Sequence, residues 1–288
     1  MLRHAVLQLA PEKGLIRRNL EKLKRALAEL RPERPEVVVL PETYLTGYFL
    51  EGGVRELALT REELFERVEE VYREVWEGPL DVVVGFYEKD EREGAYYNAA
   101  AYLELGGRGL VHVHRKVFLP TYGVFDEERF LSRGHGVRAF DTRFGRAAIL
   151  ICEDFWHSIT STIAALDGAE ILYVPAASPA RGFFGPRPAN VERWREMAKS
   201  VAAEHGVYVV LASLVGSEAG KGMSGGSLVA SPEGKILGEA PVFEEAALLA
   251  ELDLERLPPV RYESPMLADL KSGLPLLWDD LKRVVESL

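Results

Sequence analysis

The sequence predicts a layered α/β fold. Short runs of β-branched and other apolar residues alternate with charged, amphipathic stretches from end to end, which is the pattern of strands covered by helices. No internal repeat or low-complexity linker interrupts this alternation. The chain has 288 residues, of which 47% are hydrophobic and 28% are charged, a composition typical of a globular protein with a large core. We therefore expect one large α/β domain.

Each predicted strand is a short apolar run, and each predicted helix has apolar residues at helical spacing. The strands are predicted over residues 3–9, 36–40, 82–87, 97–104, 110–115, 147–151, 171–174, 207–213, 226–231 and 246–252. The helices are predicted over residues 15–30, 61–76, 159–166 and 188–205. In the first helix, Leu20, Leu23, Leu27 and Leu30 recur every three or four residues and predict one buried stripe.

Two segments are predicted β-hairpins, residues 97–115 and 226–237, because glycine or proline stands where each tight turn is needed. Antiparallel hairpins in an alternating α/β chain predict mixed sheets. The end of the chain is different, since prolines follow Leu257 and an amphipathic stretch covers residues 276–288. We expect a main domain over residues 1–257 and an arm over residues 258–288 that packs on the domain or on a partner subunit.

The charge of the chain narrows the class of partner. A formal net charge of −10 repels nucleic acid and anionic membrane surfaces, so small molecules are the expected partners. No apolar run reaches the roughly 18 residues that a membrane span needs. The N-terminal sequence also lacks the pattern of a signal peptide, and we expect a cytoplasmic protein.

Cys152 is the only cysteine, so it cannot form an intramolecular disulfide and is a candidate nucleophile. It follows the apolar run AAILI, just as Glu42 follows VVVLP and Lys116 follows HVHR. Each residue alone has an ordinary interpretation, as a small core residue, a cap or a solvated strand-end charge. Together they suit amide attack, because a thiol needs a base to remove its proton and a positive charge to stabilise the oxyanion. We also expect a sharp turn at Cys152, which would add the N–H of Glu153 to an oxyanion hole.

Three segments resemble the catalytic motifs of the carbon-nitrogen hydrolase (nitrilase) superfamily, in wording and in order. They are LPETYLTGY (40–48), HRKVFLPTYGVFDEERF (114–130) and LICEDFW (150–156). The resemblance implies a four-layer αββα sandwich that pairs into homodimers. It also implies that Glu42 is the general base, Lys116 the oxyanion stabiliser and Cys152 the nucleophile that forms an acyl-enzyme.

The same resemblance implies a second glutamate that holds the lysine. Glu127 and its neighbour Glu128 are the two candidates, and the spacing to Arg129, Phe130 and Gly134 favours Glu127.

The resemblance further implies a substrate pocket close to these residues. Tyr48, Phe125, Trp156 and Ser178 are its expected lining, with Glu153 beside the nucleophile. Ordinary core packing is the competing interpretation of Phe125 and Trp156. The loop over residues 178–194 carries three arginines that could bind a substrate carboxylate, or could be surface residues without a role. They are Arg181, Arg187 and Arg193.

Within the superfamily the wording is most similar to the glutaminase domain of glutamine-dependent NAD synthetase, through YGVFDE, CEDFW and GGSLVASPEGKI. That domain feeds ammonia to a second domain, which we expect to be absent here. The expected activity is hydrolysis of a small amide, such as glutamine, another ω-amide or an aliphatic amide, with release of ammonia and without a cofactor or metal. The alternative is a subunit that passes its acyl group to an amine, or ammonia to a separate synthetase in NAD synthesis.

Three other interpretations are weaker. A papain-like enzyme would pair Cys152 with an imidazole, and His157 is the nearest in sequence. A metal site could use His112 and His114, which point to the same side of a strand, although two ligands are few. A non-catalytic scaffold is disfavoured because all three catalytic positions are intact.

Overall fold

The computed structural model describes residues 1–288, apart from the side chain of Glu51. The strands are β1 Leu2–Gln8, β2 Val37–Val39, β3 Leu80–Asp90, β4 Ala95–Leu105, β5 Gly109–Arg115, β6 Ala139–Thr142, β7 Gly145–Ile149, β8 Ile171–Ala176, β9 Tyr208–Ser213, β10 Val215–Glu218, β11 Lys221–Ser224, β12 Leu228–Ala230, β13 Ile236–Glu239 and β14 Ala246–Leu252. The α-helices are α1 Ile16–Leu30, α2 Val54–Leu57, α3 Arg61–Val75, α4 Glu153–Trp156, α5 Ser158–Leu166, α6 Ala189–His205, α7 Leu257–Glu263 and α8 Met266–Glu286. Short 3-10 turns cover Glu51–Gly53, Glu127–Arg129 and Leu254–Arg256.

The strands form two six-stranded sheets. The first has the order β14-β1-β2-β3-β4-β5 and the second has the order β13-β12-β9-β8-β7-β6. Both sheets are mixed, as predicted: β1, β2 and β3 run parallel in the first, and β7, β8 and β9 run parallel in the second. The remaining strands of both sheets pair antiparallel. A separate hairpin pairs β10 with β11.

The two sheets pack face to face and helices cover their outer faces. On the first sheet, alternate residues of β2 separate the two sides, since Val38 packs under α1 and α3 whereas Val37 and Val39 face the second sheet. The predicted leucine stripe of α1 is buried in that outer layer. On the second sheet, α5 and α6 supply the cover through residues such as Ala164 and Trp194. The predicted four-layer αββα sandwich is therefore confirmed.

Several boundaries differ from the prediction. Strands β6, β10 and β11 were not predicted, since each has only four residues and carries charges or glycine in place of an apolar run. The predicted strand 147–151 is β7, which ends at Ile149, so that Leu150 and Ile151 form a buried stretch that leads into Cys152.

The C-terminal segment is more regular than the amphipathic stretch 276–288 indicated. Helix α8 begins at Met266 and contains Pro275, and it contacts α5, α6 and α7. Leu267 is buried, but much of the apolar surface of α8 is exposed, including Leu277, Trp278 and Leu281. None of the described helices combines the length and the apolar composition that are needed to cross a bilayer.

Candidate active site

The three residues singled out in the sequence lie at strand ends of the two sheets. Glu42 follows β2 and Lys116 follows β5, both in the first sheet, whereas Cys152 follows β7 in the second. The Lys116 ammonium donates hydrogen bonds to Glu42 Oε1 at 2.7 Å and to Glu127 Oε1 at 2.6 Å. All four side chains are buried, and the charges of Glu42 and Lys116 act on the Cys152 thiol, so these groups belong to one site.

Glu42 is fixed by its neighbours in the first sheet. Its Oε1 also accepts a hydrogen bond from Asn98 Nδ2 at 2.7 Å, whereas its buried Oε2 has no partner among the described residues. The backbone turns directly after it, and Thr43 takes a φ of 49°. Strand β3 passes so close to this turn that a Cβ on Gly85 would lie 2.4 Å from the Thr43 nitrogen. Only glycine allows that approach.

Lys116 remains charged because of its two carboxylate neighbours. Burial alone disfavours the ammonium, but the charges of Glu127 and Glu42 raise the pKa of Lys116 well above its usual value. Burial raises the pKa of Glu127 to about 7, against the opposing effect of Lys116. Tyr48 donates its phenol proton to the same Glu127 oxygen. The alternative residue, Glu128, is exposed and pairs with Arg133.

Cys152 stands at the start of α4 in a strained turn, with φ 45° and ψ −100°. Its N–H donates to Pro175 O at 2.9 Å, and its sulfur lies 3.9 Å from Ala177 O. Burial raises the pKa of the thiol well above its usual value, the charge of Glu42 adds to this, and Lys116 opposes it. The resting group is therefore a thiol, which needs a base at the moment of attack. As expected, the turn leaves Glu153 N–H at the first position of a helix, where no intrahelical acceptor exists.

The residues expected to line the pocket divide into two groups. The Phe125 ring lies edge-on to the Tyr48 ring with centroids 6.1 Å apart, and the Glu153 carboxylate accepts a hydrogen bond from Tyr122 at 2.9 Å. Trp156 and Ser178 contact α6 instead. Trp156 packs against Trp194, and Ser178 Oγ accepts a hydrogen bond from Asn190 at 3.0 Å.

A cavity of about 330 Å³ lies beside the site, and Tyr48 and Glu127 line it. Phe49, Val124 and Lys221 also line it, whereas Cys152 does not. The Lys221 ammonium lies 4.4 Å from the centre of the Phe49 ring, at the wall of this cavity.

The three arginines of loop 178–194 have different surroundings. Arg187 pairs with Glu239, and Arg193 lies over the Trp156 ring at 4.7 Å. Arg181 lies over the Phe125 ring at 5.7 Å. Burial raises the pKa of Tyr122 to about 12, and the charge of Arg181 opposes this effect.

Sequence reasoning missed two buried carboxylates that support the site. Glu218 Oε2 accepts hydrogen bonds from the N–H groups of Tyr48 at 2.6 Å and Phe49 at 3.0 Å. Asp154 accepts bonds from three backbone N–H groups and contacts His114. Both act on segments remote in sequence, so no local pattern marks them. A signal existed only for Asp154, a charged residue two positions after the nucleophile.

The histidines on which the papain-like and metal interpretations depend have other partners in the structure. His157 stacks on Phe118 with centroids 3.9 Å apart, and its Nε2 faces Glu153. His114 Nε2 is bonded to Asp154 at 2.8 Å, and His112 stacks on Phe140. Among the described side chains, no group of three or more His, Cys, Asp or Glu residues could hold a metal ion.

Comparison with known proteins places this site in a family. Residues 3–262 match the family model of the carbon-nitrogen hydrolases. A nitrilase of Pyrococcus abyssi is 31% identical, over 88% of this chain and 90% of its own length. A carbon-nitrogen hydrolase from Helicobacter pylori G27 has the same fold, with a TM-score of 0.85, 24% identity, and coverage of 96% of this chain and 98% of its own.

The glutamine-dependent NAD(+) synthetase of Acinetobacter baylyi is 28% identical over 88% of this chain but only 44% of its own length. The chain thus spans less than half of the NAD synthetases that it matches. With the family model matched along nearly its whole length and the sandwich fold shared, this chain belongs to the carbon-nitrogen hydrolase family.

Proposed function

We propose that this protein hydrolyses the C–N bond of a small amide through a thioester on Cys152. The observation that carries the proposal is the Lys116 ammonium held between Glu42 and Glu127 in the buried site of the thiol. Such an arrangement provides a base, a fixed positive charge and a nucleophile in a low-dielectric setting. These are the three requirements for acyl transfer from an amide.

Each of these groups has one role in the proposed steps. Glu42 Oε2, which has no hydrogen-bond partner among the described residues, takes the thiol proton as sulfur bonds to the amide carbon. Lys116 and the N–H of Glu153 stabilise the oxyanion. The C–N bond then breaks, and the proton held by Glu42 leaves with ammonia. Water, deprotonated by the same carboxylate, then attacks the thioester carbon. The C–S bond breaks, the carboxylic acid leaves, and Glu42 returns the proton to the sulfur.

The surroundings favour a substrate that carries a carboxylate at the end remote from its amide. The aromatic rings of Tyr48 and Phe49 line the cavity, and Lys221 lies over Phe49. Arg181 lies over Phe125, whose ring packs edge-on against Tyr48. Guanidinium groups bind carboxylates through paired hydrogen bonds. We therefore propose an ω-amide, of which glutamine is one, as the substrate.

An ammonia-release screen tests this function. Glutamine, asparagine, other ω-amides, aliphatic amides, N-carbamoyl compounds and nitriles are compared in the wild type and in Cys152→Ala. We expect release from at least one amide in the wild type, none from Cys152→Ala, and a mass increase on Cys152 when the reaction is quenched early. Turnover by Cys152→Ala near the wild-type rate refutes the proposal.

A second candidate is a subunit that passes its ammonia to a separate synthetase. The similarity to NAD synthetases, of which this chain spans less than half, favours it. An ammonia-dependent NAD synthetase from the same organism, mixed with this protein and glutamine, would then make NAD faster than free ammonia at the released concentration allows. Equal rates would leave hydrolysis alone.

A further inference from the structure

Asp154 lies two positions after the nucleophile and is completely buried. Its Oδ1 accepts hydrogen bonds from the N–H groups of Val117 at 3.0 Å and Phe118 at 2.9 Å. Its Oδ2 accepts from the N–H of Ile151 at 3.2 Å and contacts His114 Nε2 at 2.8 Å. One carboxylate therefore joins the segment around Lys116 to the segment around Cys152.

The residues of the first segment that Asp154 contacts lie on both sides of Lys116 in the sequence. His114 is two residues before Lys116, and the two bonded N–H groups belong to the two residues after it. The Lys116 backbone itself is bonded elsewhere, from its N–H to Asn98 O of β4 at 2.8 Å and from Gly134 N–H, in the connection before β6, to its carbonyl at 2.7 Å. Asp154 thus links this segment by hydrogen bonds to the segment that follows the second sheet and carries the sulfur.

The link is not replaceable by a neutral side chain without loss. Ionised Asp accepts at both oxygens, whereas Asn offers one acceptor and one donor. An Asn that serves Val117 and Phe118 turns its NH₂ toward Ile151 N–H, which then has no partner. A buried N–H without a partner is destabilising, and movement of the backbone relieves it.

We propose that Asp154, held by His114, is a positioning residue that sets the placement of Lys116 relative to Cys152. It does not touch the reacting atoms. The inference rests on the proposed function for its effect on turnover, but its effect on the thiol can be measured without any substrate.

The experiment follows alkylation of Cys152 by iodoacetamide against pH, using intact mass, in the wild type, Asp154→Asn and Asp81→Asn. Asp81 is an equally buried carboxylate at another place in the first sheet, bonded to Tyr102 at 2.6 Å and to Arg143, and serves as the matched control. Displacement of Lys116 removes positive charge from the thiol. We expect the alkylation rate of Asp154→Asn at pH 8 to fall at least tenfold and its pH midpoint to rise, with Asp81→Asn unchanged.

Turnover gives the second readout where an amide substrate is found. We expect Asp154→Asn to lower kcat at least tenfold with KM within threefold, and to have less than a twofold effect when Lys116 is already alanine, because coupled residues are not additive. If no amide is turned over by the wild type, the proposed function fails while the alkylation comparison still decides the role of Asp154.

Alkylation and kcat of Asp154→Asn equal to those of Asp81→Asn overturn the proposal. Should Asp154→Asn fail to fold, His114→Leu removes one contact of the same carboxylate and is expected to slow alkylation at least threefold, with His114→Gln restoring the rate through its amide N–H. Wild-type alkylation in His114→Leu also overturns the proposal.

Discussion

At the scale of single residues, the candidate site brings several ionisable groups together in a buried place. Two buried carboxylates share one ammonium, and burial raises the pKa of Glu127 to about 7. The attraction within a buried ion pair seldom exceeds the free energy needed to remove both charges from water. Stability of the fold therefore does not explain this cluster. The cluster instead keeps a positive charge near the thiol, because Glu127 and Glu42 raise the pKa of Lys116 well above its usual value.

Replacing Lys116 by alanine removes that charge. We expect kcat/KM to fall by about a hundredfold or more, the usual effect of losing an oxyanion contact. Lys24→Ala removes an ammonium that pairs with Glu74 on the surface and provides the control. Steady-state kinetics of the two variants check this, and Lys116→Ala within threefold of wild type would contradict the proposed role.

Arg181 is expected to select substrates by charge. Arg181→Ala should raise KM about tenfold for an amide that carries a carboxylate, the effect of one lost charged hydrogen bond, and leave a neutral amide of the same length unchanged. Arg193→Ala, from the same loop, is the control because Arg193 lies over Trp156. The two amides are compared in both variants. Equal effects of Arg181→Ala on both amides would contradict the binding of a substrate carboxylate by Arg181.

The sequence predicted those site residues that stand in recognisable local patterns. Glu42 and Cys152 each follow an apolar run, Lys116 follows a predicted strand, and the resemblance to known motifs indicated Glu127. Asn98, Asp154 and Glu218 were missed because their roles come from contacts with residues far away in the chain. An aspartate after a cysteine is, by itself, an ordinary first-turn residue of a helix.

At the scale of elements, the turn after β2 depends on the strand beside it. A Cβ at position 85 would lie 2.4 Å from Thr43 N, 2.5 Å from Pro41 O and 2.8 Å from Glu42 Cα, all of them backbone atoms. Backbone cannot move aside as a flexible side chain can, so the absence of a side chain on Gly85 sets where the carboxylate of Glu42 stands.

Gly85→Ala should therefore damage both the fold and the activity. We expect the free energy of unfolding to fall by roughly 1–3 kcal/mol from overpacking, and kcat to fall more than tenfold because Glu42 is displaced. Gly222→Ala is the control, since nothing lies within 4 Å of its added Cβ. Denaturant unfolding and steady-state kinetics measure both effects. A Gly85→Ala protein as active as Gly222→Ala would show that the turn tolerates movement.

The elements themselves were predictable to different degrees. Long buried strands such as β3 and β4 have clear apolar runs, but β10 and β11 are a charged hairpin that turns at Ala219–Gly220. Helix α8 was not among the predicted helices, and only residues 276–288 were described as amphipathic; Pro275 lies inside the helix, where proline is ordinarily disruptive. The structure continues the helix through that proline.

At the scale of the whole molecule, the two sheets meet around a buried histidine. His4 Nε2 lies 3.0 Å from the Tyr173 hydroxyl across the interface, and His4 Nδ1 lies 3.3 Å from Leu2 O. Burial lowers the pKa of His4 to about 4. The neutral ring is therefore part of the folded state, while the unfolded chain gains a proton near pH 6.5.

Acid should weaken the sandwich through this residue. Stability from neutral His4 is complete above pH 6.5 and is lost as pH falls toward 4, by roughly 2–3 kcal/mol. The free energy of unfolding measured from pH 7 to 4 should fall more steeply in the wild type than in His4→Gln, which cannot titrate. Identical slopes would mean that His4 is not buried neutral.

We propose that a second copy of the chain covers the apolar face of α8. Leu277, Leu281 and Val284 recur at helical spacing and are exposed beside Trp278, and the neighbouring α5 exposes Ile163. A contiguous apolar face of this kind is typical of a subunit interface.

Charge on that face should separate the subunits. We expect the wild type to be a dimer by light scattering and Trp278→Asp with Leu281→Asp to be a folded monomer. Phe243→Asp, on an exposed loop, is the control. A monomeric wild type, or a double variant that remains dimeric, would exclude this interface.

The division of the reactive groups between two sheets also has a consequence for biosynthesis. The first sheet is completed only by β14, which pairs with β1 at the opposite end of the chain. During synthesis, Cys152 can therefore leave the ribosome before β14 has joined the sheet that carries Glu42 and Lys116. A product that ends before β14 contains Glu42, Lys116 and Cys152, but the sheet that carries the base and the cation lacks its edge strand.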